Sequence, residues 1–138
     1  MGKLATSFQD LDVYKTAIDA AMAIFEVSGT FPDREKFSLT DQVRRSSRSV
    51  CANIAEAWRK RRYKAAFIAK LSDAESEAAE TEVWLELAER CGYLQSSKRS
   101  ELTDRYEKIA AQLINMVNGA DKWVVQPRAT SDGDTSAR

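Results

Sequence analysis

Apolar side chains return every three or four residues through most of this chain, and that spacing limits what it can fold into. In the first segment Tyr14, Ile18, Met22 and Phe25 mark the pattern before Gly29 supplies a stop. A period of 3.6 residues places such side chains along one face of an α-helix, whereas a strand needs alternation in twos. No alternating run is long enough for a strand. An all-α fold is therefore expected.

Three further segments repeat this spacing, each after a turn-forming stretch. Ser38 and Asp41 resemble the capping box that opens a helix, and Gly92 is placed to end one in the left-handed conformation. The predicted helices lie near residues 10–28, 39–61, 64–91 and 97–124. The predicted core faces of the second, third and fourth helices comprise Val43, Ser47, Val50, Ile54, Ala57 or Trp58; Phe67, Leu71, Ala74, Ala78, Leu85 and Ala88; and Leu102, Tyr106, Ile109, Leu113, Met116, Val117, Ala120 and Val124. Four long helices with short links predict an antiparallel up-down-up-down four-helix bundle.

Length and composition agree with one such bundle. The 138 residues fit a single domain, and 43% of them are hydrophobic, with only two prolines and five glycines. We predict that residues 1–125 form the bundle and residues 126–138 a disordered C-terminal tail. The tail has no apolar side chain larger than alanine, so it cannot repay the entropy of ordering.

The protein is expected to work in the cytoplasm and away from membranes. Its two cysteines, Cys51 and Cys91, are too few for a disulfide framework, which favours a reducing compartment. No charged and apolar leader opens the sequence, and no stretch approaches the roughly 18 apolar residues that a membrane span needs.

The first predicted helix is apolar around more of its circumference than one bundle can cover. A second stripe lies beside the first, and its residues are Val13, Ala17, Ala20, Ile24 and Val27. Because a large apolar face left in water is typical of an association site, we predict that this stripe forms a homo-oligomer interface. Asn53 and Glu56 are assigned to the same interface, since polar groups at a seam fix register; ligand binding is their alternative role.

Three stretches taken together resemble a known family. They read FQDLDVYKTAIDAAMAIFE, FPDREKFSLTDQVRRSSRSVCANIAEAW and ETEVWLELAERCGYL. In order and spacing they are similar to the small bacterial four-helix-bundle proteins associated with the intervening sequence of 23S ribosomal RNA genes, over residues 8 to 125. The most specific matches are Phe31-Pro32, Glu35, Leu39-Thr40, Gln42, Arg44-Arg45, Ala52-Asn53-Ile54-Ala55-Glu56, Leu85, Ala88 and Gly92-Tyr93.

The resemblance implies a homopentameric ring of four-helix bundles with no established catalytic activity. A relative, the accessory variability determinant protein of diversity-generating retroelements, is a basic pentamer that binds nucleic acid and a reverse transcriptase. Two features of this chain depart from the pattern: Ala57 stands where glycine is common, and the net charge is zero where that relative is strongly basic. The neutral charge weakens any transfer of nucleic-acid binding to this chain.

Residues 43–62 nevertheless hold seven basic side chains around one acid, Glu56. These candidate nucleic-acid contacts are Arg44, Arg45, Arg48, Arg59, Lys60, Arg61 and Arg62. A helical wheel places Arg44, Arg48, Arg59 and Arg62 on one ridge, which suits phosphate contacts that ignore base sequence. The alternative is charge pairing, because residues 73–89 contain seven acids and no Lys or Arg. We favour pairing, although one face can serve both purposes.

Aromatic and thiol groups add no clear chemistry. Trp58, Trp84 and Trp123 are able to stack on bases, but at helical positions we interpret them as core or interface anchors. Cys51 beside the basic ridge has two readings, a thiol of lowered pKa or a small packing residue, and we favour packing.

Catalysis is not expected. The sequence contains no histidine, which removes the commonest general base and metal ligand, and it has no glycine-rich phosphate loop or nucleophile elbow. The acids Glu75, Glu82, Glu86 and Glu89 of the third helix are interpreted as a solvated or salt-bridged face. No metal or cofactor is predicted.

The sequence thus favours a non-catalytic, homo-oligomeric and pentameric accessory protein that acts through protein or RNA contacts. One alternative is a nucleic-acid-binding module that uses the basic ridge. A weaker alternative is a peptide-binding scaffold that uses the wide apolar face of the first helix.

Overall fold

The chain folds entirely into helices and short turns. The structure, a computed structural model, describes residues 4–125. Its helices are α1 (Asp12–Ser28), α2 (Leu39–Arg59), α3 (Lys64–Arg90), α4 (Ser96–Asn118) and the short α5 (Ala120–Trp123), with single 3₁₀ turns at Phe8–Asp10 and Asp33–Glu35. The described residues contain no strand, so the predicted all-α class with four long helices is confirmed. The tail predicted at residues 126–138 lies outside the described residues.

Glycines set two of the helix ends. The left-handed conformation predicted for Gly92 is confirmed by its φ of 82°, and the amide of Tyr93 then donates to the carbonyl of Ala88. Gly119 leaves the helical region and separates α4 from α5, so the fourth predicted helix is broken near its end. The second helix also ends earlier than predicted, at Arg59, and residues 60–62 form a turn.

Each long helix packs against its neighbours in the chain, and α1 also packs on α4. The pairs between α2 and α3 run in opposite order along the two helices. Arg45, early in α2, reaches Glu80 late in α3, whereas Glu56, late in α2, reaches Lys70 early in α3. Within residues 4–125, no Cα atom of α1 lies within 8 Å of one in α3, and the same holds for α2 and α4. These two pairs therefore lie diagonally across the helix cluster.

The predicted core faces of α2 and α3 are buried throughout. In α4 the face is buried from Leu102 to Met116, while Val117 and Val124 are half-buried. Burying a side chain as large as Phe67 or Leu71 stabilises the fold by about 1.5–3 kcal/mol. Two hydroxyls are also buried between α2 and α3, where Ser46 and Thr81 share a hydrogen bond of 2.8 Å.

The two stripes of α1 are exchanged relative to the prediction. Four residues assigned to the oligomer interface, Val13, Ala17, Ala20 and Ile24, are buried in the core of the same chain, and Val27 is half-buried. These four cannot form a surface between copies, so this assignment is corrected. Their small or branched side chains allow α1 to approach α2 and α4 closely. The stripe outside the core is instead the one with larger side chains: Met22 is 54% exposed and Phe25 45%, while Tyr14 and Ile18 are half-buried against the core.

Candidate functional site

The seven candidate nucleic-acid residues do not form one surface. Arg44 lies in the groove between α1 and α2, where its Nε donates to the Ser28 hydroxyl at 2.7 Å and its guanidinium to the Phe25 carbonyl at 3.1 Å. The same guanidinium lies 4.7 Å from the centre of the Phe25 ring. Arg44 therefore ties two helices together and has few donors left for a phosphate.

Arg45 is on the α3 side of α2 and meets the acidic run. Its guanidinium pairs with Glu80 and lies 3.7 Å from a carboxylate oxygen of Glu77. Nearby, Glu56 accepts the Lys70 ammonium at 2.8 Å. The predicted charge pairing between α2 and residues 73–89 is confirmed for Arg45. Exposed pairs of this kind contribute about 0–1 kcal/mol each, and they select register more than they add stability.

Arg61, a predicted nucleic-acid contact that was not part of the ridge, is held against Trp58. Since α2 ends at Arg59, the wheel that was extended to residue 62 does not apply beyond that point. The Arg61 guanidinium lies 3.4 Å from the centre of the Trp58 ring, and its Nε donates to the Trp58 carbonyl at 2.9 Å. Trp58 is buried, so it serves as a core anchor with the Arg61 guanidinium stacked over its ring rather than as a platform for bases.

Besides the paired Arg45, four candidates are exposed: Arg48, Arg59, Lys60 and Arg62. Within the described residues none of them has a salt bridge. Three of the four lie at the α2–α3 turn, which we call the basic corner (Arg59, Lys60 and Arg62). A shallow cleft of about 320 Å³ opens beside it, and Phe8, Ala55, Glu56, Arg59 and Lys60 line this cleft.

Asn53 and Glu56, the polar residues assigned to the oligomer interface, both make contacts inside the chain. The Asn53 amide donates to the Ser49 carbonyl at 2.9 Å and to the Ser49 hydroxyl at 3.2 Å. Glu56 is held by Lys70.

Several of the residues that carry the family resemblance meet at the other end of α2. Glu35 accepts hydrogen bonds from the Ser38 hydroxyl (2.6 Å), the Leu39 amide (3.3 Å) and the Tyr93 hydroxyl (2.8 Å). These bonds, led by that from Ser38, lower the pKa of Glu35. The ring of Phe31 packs 5.7 Å from that of Tyr93. We call Phe31, Glu35, Ser38 and Tyr93 the loop clamp, because they join the α1–α2 connection to the α3–α4 turn.

The loop clamp replaces the capping box predicted at the start of α2. The Ser38 hydroxyl is turned back to Glu35, and no side chain of Ser38 caps the helix. Glu35 takes that role by accepting the amide of Leu39. Glu35 lies four residues before the first helical residue, which is outside the usual spacing of a capping box. The one sequence signal for this role was that Glu35 and Tyr93 both belong to the family pattern.

Other titratable groups of the bundle are buried or lie close to a second charged group. Burial raises the pKa of the Cys51 thiol to about 11, which makes this cysteine a packing residue and rules out a readily formed thiolate. Glu86 and Glu89 both lie near Arg99 of α4, at 3.8 and 3.1 Å. Burial, together with the neighbouring carboxyl of Glu107, raises the pKa of Glu82 to about 7.

Neither a metal site nor a membrane span is found in the part of the chain that the structure describes. Across residues 4–125, no three His, Cys, Asp or Glu side chains are grouped so that they could hold a metal ion. Over the same residues, no helix combines the length and apolar character needed to cross a membrane.

Comparison with known proteins places this geometry in context. The chain is similar to a protein of unknown function from the S23 ribosomal protein family of Bacteroides thetaiotaomicron VPI-5482, whose crystal structure matches with a TM-score of 0.70 and 32% sequence identity. The match covers 77% of this chain and 95% of that one. Among curated proteins there is no match. The model of the 23S rRNA-intervening sequence proteins matches residues 9–115, a span that includes the loop clamp and all of α2 and α3. The chain therefore belongs to the 23S rRNA-intervening sequence protein family.

Proposed function

We propose that this protein is a non-catalytic accessory protein that works as a homo-oligomer, a pentameric ring of antiparallel four-helix bundles, and acts through protein or RNA contacts. The observation that carries the proposal is the set of large apolar side chains left outside the core. Met22 and Phe25 on α1, and Val83 and Leu87 on α3, are each more than two-fifths exposed. Contiguous apolar surface of this kind is typical of association sites.

The opposite order of the α2–α3 pairs supports the antiparallel arrangement. It is repeated between α3 and α4, where Glu89 near the end of α3 meets Arg99 near the start of α4. In such a bundle α1 and α3 are diagonal, so their exposed apolar faces point away from each other. A contact between two unlike faces closes into a ring when the rotation between copies permits it.

A non-catalytic role is supported by how the family-pattern residues are used. Glu35 and Tyr93 are hydrogen-bonded to each other, Arg45 is paired with Glu80, and Arg44 is bound to α1. These side chains hold the fold together instead of presenting a reactive group to a cavity. We place the protein in the cytoplasm on the basis of its cysteine use.

RNA binding through the basic corner is the second candidate. The specific observation in its favour is that Arg59, Lys60 and Arg62 are exposed and, among residues 4–125, carry no salt bridge. Cations free of acidic partners can neutralise phosphates with release of counterions. In a ring, one corner from each copy would repeat around the assembly.

Light scattering on the purified protein tests both candidates. We expect a mass five times the 15.5 kDa of one chain. Absorbance at 260 and 280 nm on the same peak, recorded again in high salt, reports bound nucleic acid. Nucleic acid that leaves in high salt supports the basic corner, and a pentamer free of nucleic acid directs the search to protein partners. A monomeric mass would refute the homo-oligomer.

A further inference from the structure

The two outer apolar faces of the helix cluster differ in size and in the charges beside them. The first, which we call the α1 face, consists of Tyr14, Ile18, Met22 and Phe25. Its side chains are large, and one edge of it meets α2 through the contact between Arg44 and the Phe25 ring. None of these four residues belongs to the buried core.

The second surface, the α3 face, runs almost the full length of its helix. It consists of the exposed residues Ala65, Ala69, Ser72, Ser76, Ala79, Val83 and Leu87. These positions alternate in steps of three and four, so they lie along one line on the helix surface opposite the buried Phe67 and Leu85. No charged residue interrupts the line from 65 to 87, and Val83 is 52% exposed. A helix that is apolar on two opposite faces has one face more than its own bundle uses.

Arginines border the α1 face. Arg48 and Arg59 are on the same side of α2 as Arg44, which contacts α1 directly. Arg59 shares a cleft with Phe8, whose ring packs edge-on against Tyr14 at 5.0 Å. Within residues 4–125 neither Arg48 nor Arg59 has a salt bridge. The opposite edge of α1 bears Asp19 and Glu26 with Lys15 beside them, so the arginines lie on the α2 side alone.

Acids border the α3 face. Glu75 and Glu82 lie along its α4 side, and Asp73 and Glu80 along its α2 side. Glu80 is paired with Arg45 and the carboxyl of Glu82 lies against that of Glu107, whereas in the described part of the chain Glu75 has no salt bridge. Large apolar side chains beside arginines thus have a counterpart in small apolar side chains on a helix segment, residues 73–89, that bears seven acids and no Lys or Arg.

From this complementarity we propose that the α1 face of one copy docks on the α3 face of the next copy, with Arg48 and Arg59 directed at the acids that flank α3. The inference rests on the proposed homo-oligomer and names its contact surfaces. Because α1 and α3 are diagonal in the cluster, the two faces belong to different sides of each copy. The contact is therefore heterologous: each copy uses one face for the preceding neighbour and the other for the following one. Met22 and Phe25 fill the space left by the alanines and serines of α3.

Single charged substitutions test the two faces separately. Val83→Arg places a cation opposite the arginines, and Met22→Glu places an anion opposite the glutamates, so each variant is expected to lose the assembled mass by light scattering. Both positions are exposed in one chain, so helicity should stay unchanged, and the unfolding midpoint should fall only by the stabilisation that assembly supplies. The matched control is Ile114→Arg on α4, which is 42% exposed and outside both faces, and it should keep the wild-type mass.

Mixing the two broken variants identifies a heterologous contact. The Met22→Glu chain retains its α3 face and the Val83→Arg chain retains its α1 face, so the mixture should regain particles of at least twice the 15.5 kDa chain mass. Neither variant should do so alone. If the wild type is oligomeric and Val83→Arg and Met22→Glu keep its mass, the assigned faces are wrong while the homo-oligomer stands. A monomeric wild type overturns both.

Discussion

The two ends of α2 use their polar side chains in opposite ways. At the start of the helix the loop clamp consumes its polar groups internally, since Glu35 alone accepts three hydrogen bonds. At the other end the basic corner leaves Arg59, Lys60 and Arg62 exposed, without a salt bridge inside residues 4–125. Polar residues that carry the family pattern therefore need not mark a binding site. Here the clamp builds the fold, and the free charge lies elsewhere.

The largest effect is expected in the apolar part of the clamp. Phe31→Ala should lower the free energy of unfolding by about 3–4 kcal/mol, because the buried ring is lost and a cavity is left against Tyr93. Urea denaturation measures the change. Phe37→Ala, six residues away at a ring that is 87% exposed, is the matched control and should change stability by less than about 0.5 kcal/mol. Equal losses at the two positions would show that the clamp does not stabilise the fold.

The polar part of the clamp should be visible in the pH dependence of stability. The hydrogen bonds from Ser38 and Tyr93 lower the pKa of Glu35 below 4.5. Their stabilisation is therefore present above the unfolded-state pKa of about 4.5 and is lost as the pH falls through the lower folded-state pKa. Glu35→Gln should lower the unfolding midpoint at pH 7. At pH 3 the difference in unfolding midpoint between the variant and the wild type should be smaller. A constant gap between pH 7 and pH 3 would contradict the assignment.

Glu82, midway along α3, should respond to pH in the opposite direction. Burial and Glu107 raise its pKa to about 7, so the protonated form is favoured in the folded chain. Its contribution is fully present below pH 4.5 and is lost as the pH rises through 7. Glu82→Gln should therefore stabilise the protein at pH 8 by about 1 kcal/mol, allowing for solvent screening of a partly exposed group. Thermal unfolding of both proteins at pH 5 and pH 8 measures this stabilisation. A larger stabilisation by the substitution at pH 5 than at pH 8 would contradict the raised pKa of Glu82.

The smallest effect on stability is expected at the basic corner. Replacing Arg59, Lys60 and Arg62 together by Gln should change the free energy of unfolding by less than about 0.5 kcal/mol, because these side chains are exposed. If the corner binds RNA, the slope of log affinity against log salt should fall by about 2–3. The matched control removes three dispersed exposed charges, Lys36, Lys108 and Lys122, and should leave that slope nearly unchanged. Equal slopes for the two triple variants would refute the corner as the RNA contact.

Helix periodicity was sufficient for the core faces of α2 and α3, because there the buried line is distinct from its polar neighbours. Val43, Val50 and Ile54 in α2 have charged residues on both sides, so only one face can be buried. The first helix lacks this contrast. It presents two apolar lines, and periodicity does not say which of them the bundle takes. The line with Ala17 and Ala20 is inside, because small side chains let helices pack closely, and the line with Met22 and Phe25 is left outside.

The charged residues were harder to place than the apolar ones. The helical wheel placed Arg44, Arg48 and Arg59 on one ridge with nothing to separate them. Only tertiary contacts show that Arg44 is bound to α1 and the other two are not. Arg61 was misplaced because helix ends are the least predictable part of a helix, and beyond Arg59 the backbone turns and brings Arg61 onto Trp58. Pairing of Arg45 with the acidic run was predictable, since opposite charge on consecutive helices is visible in the sequence itself.

The hydrogen bond between Ser46 and Thr81 has a dynamic consequence. A slide of α2 along α3 by one turn would break this bond and leave each hydroxyl only its own-helix carbonyl, Val43 for Ser46 and Glu77 for Thr81, at a cost of about 1 kcal/mol. This loss adds to the cost of unpacking the apolar side chains between the two helices, so one register is favoured and the pair moves as one rigid hairpin. Backbone amides in the middle of α2 and α3 should exchange with solvent only when the whole chain unfolds, while α5 exchanges by local fraying. Any change of shape that accompanies assembly would then fall on α1 and on the chain ends.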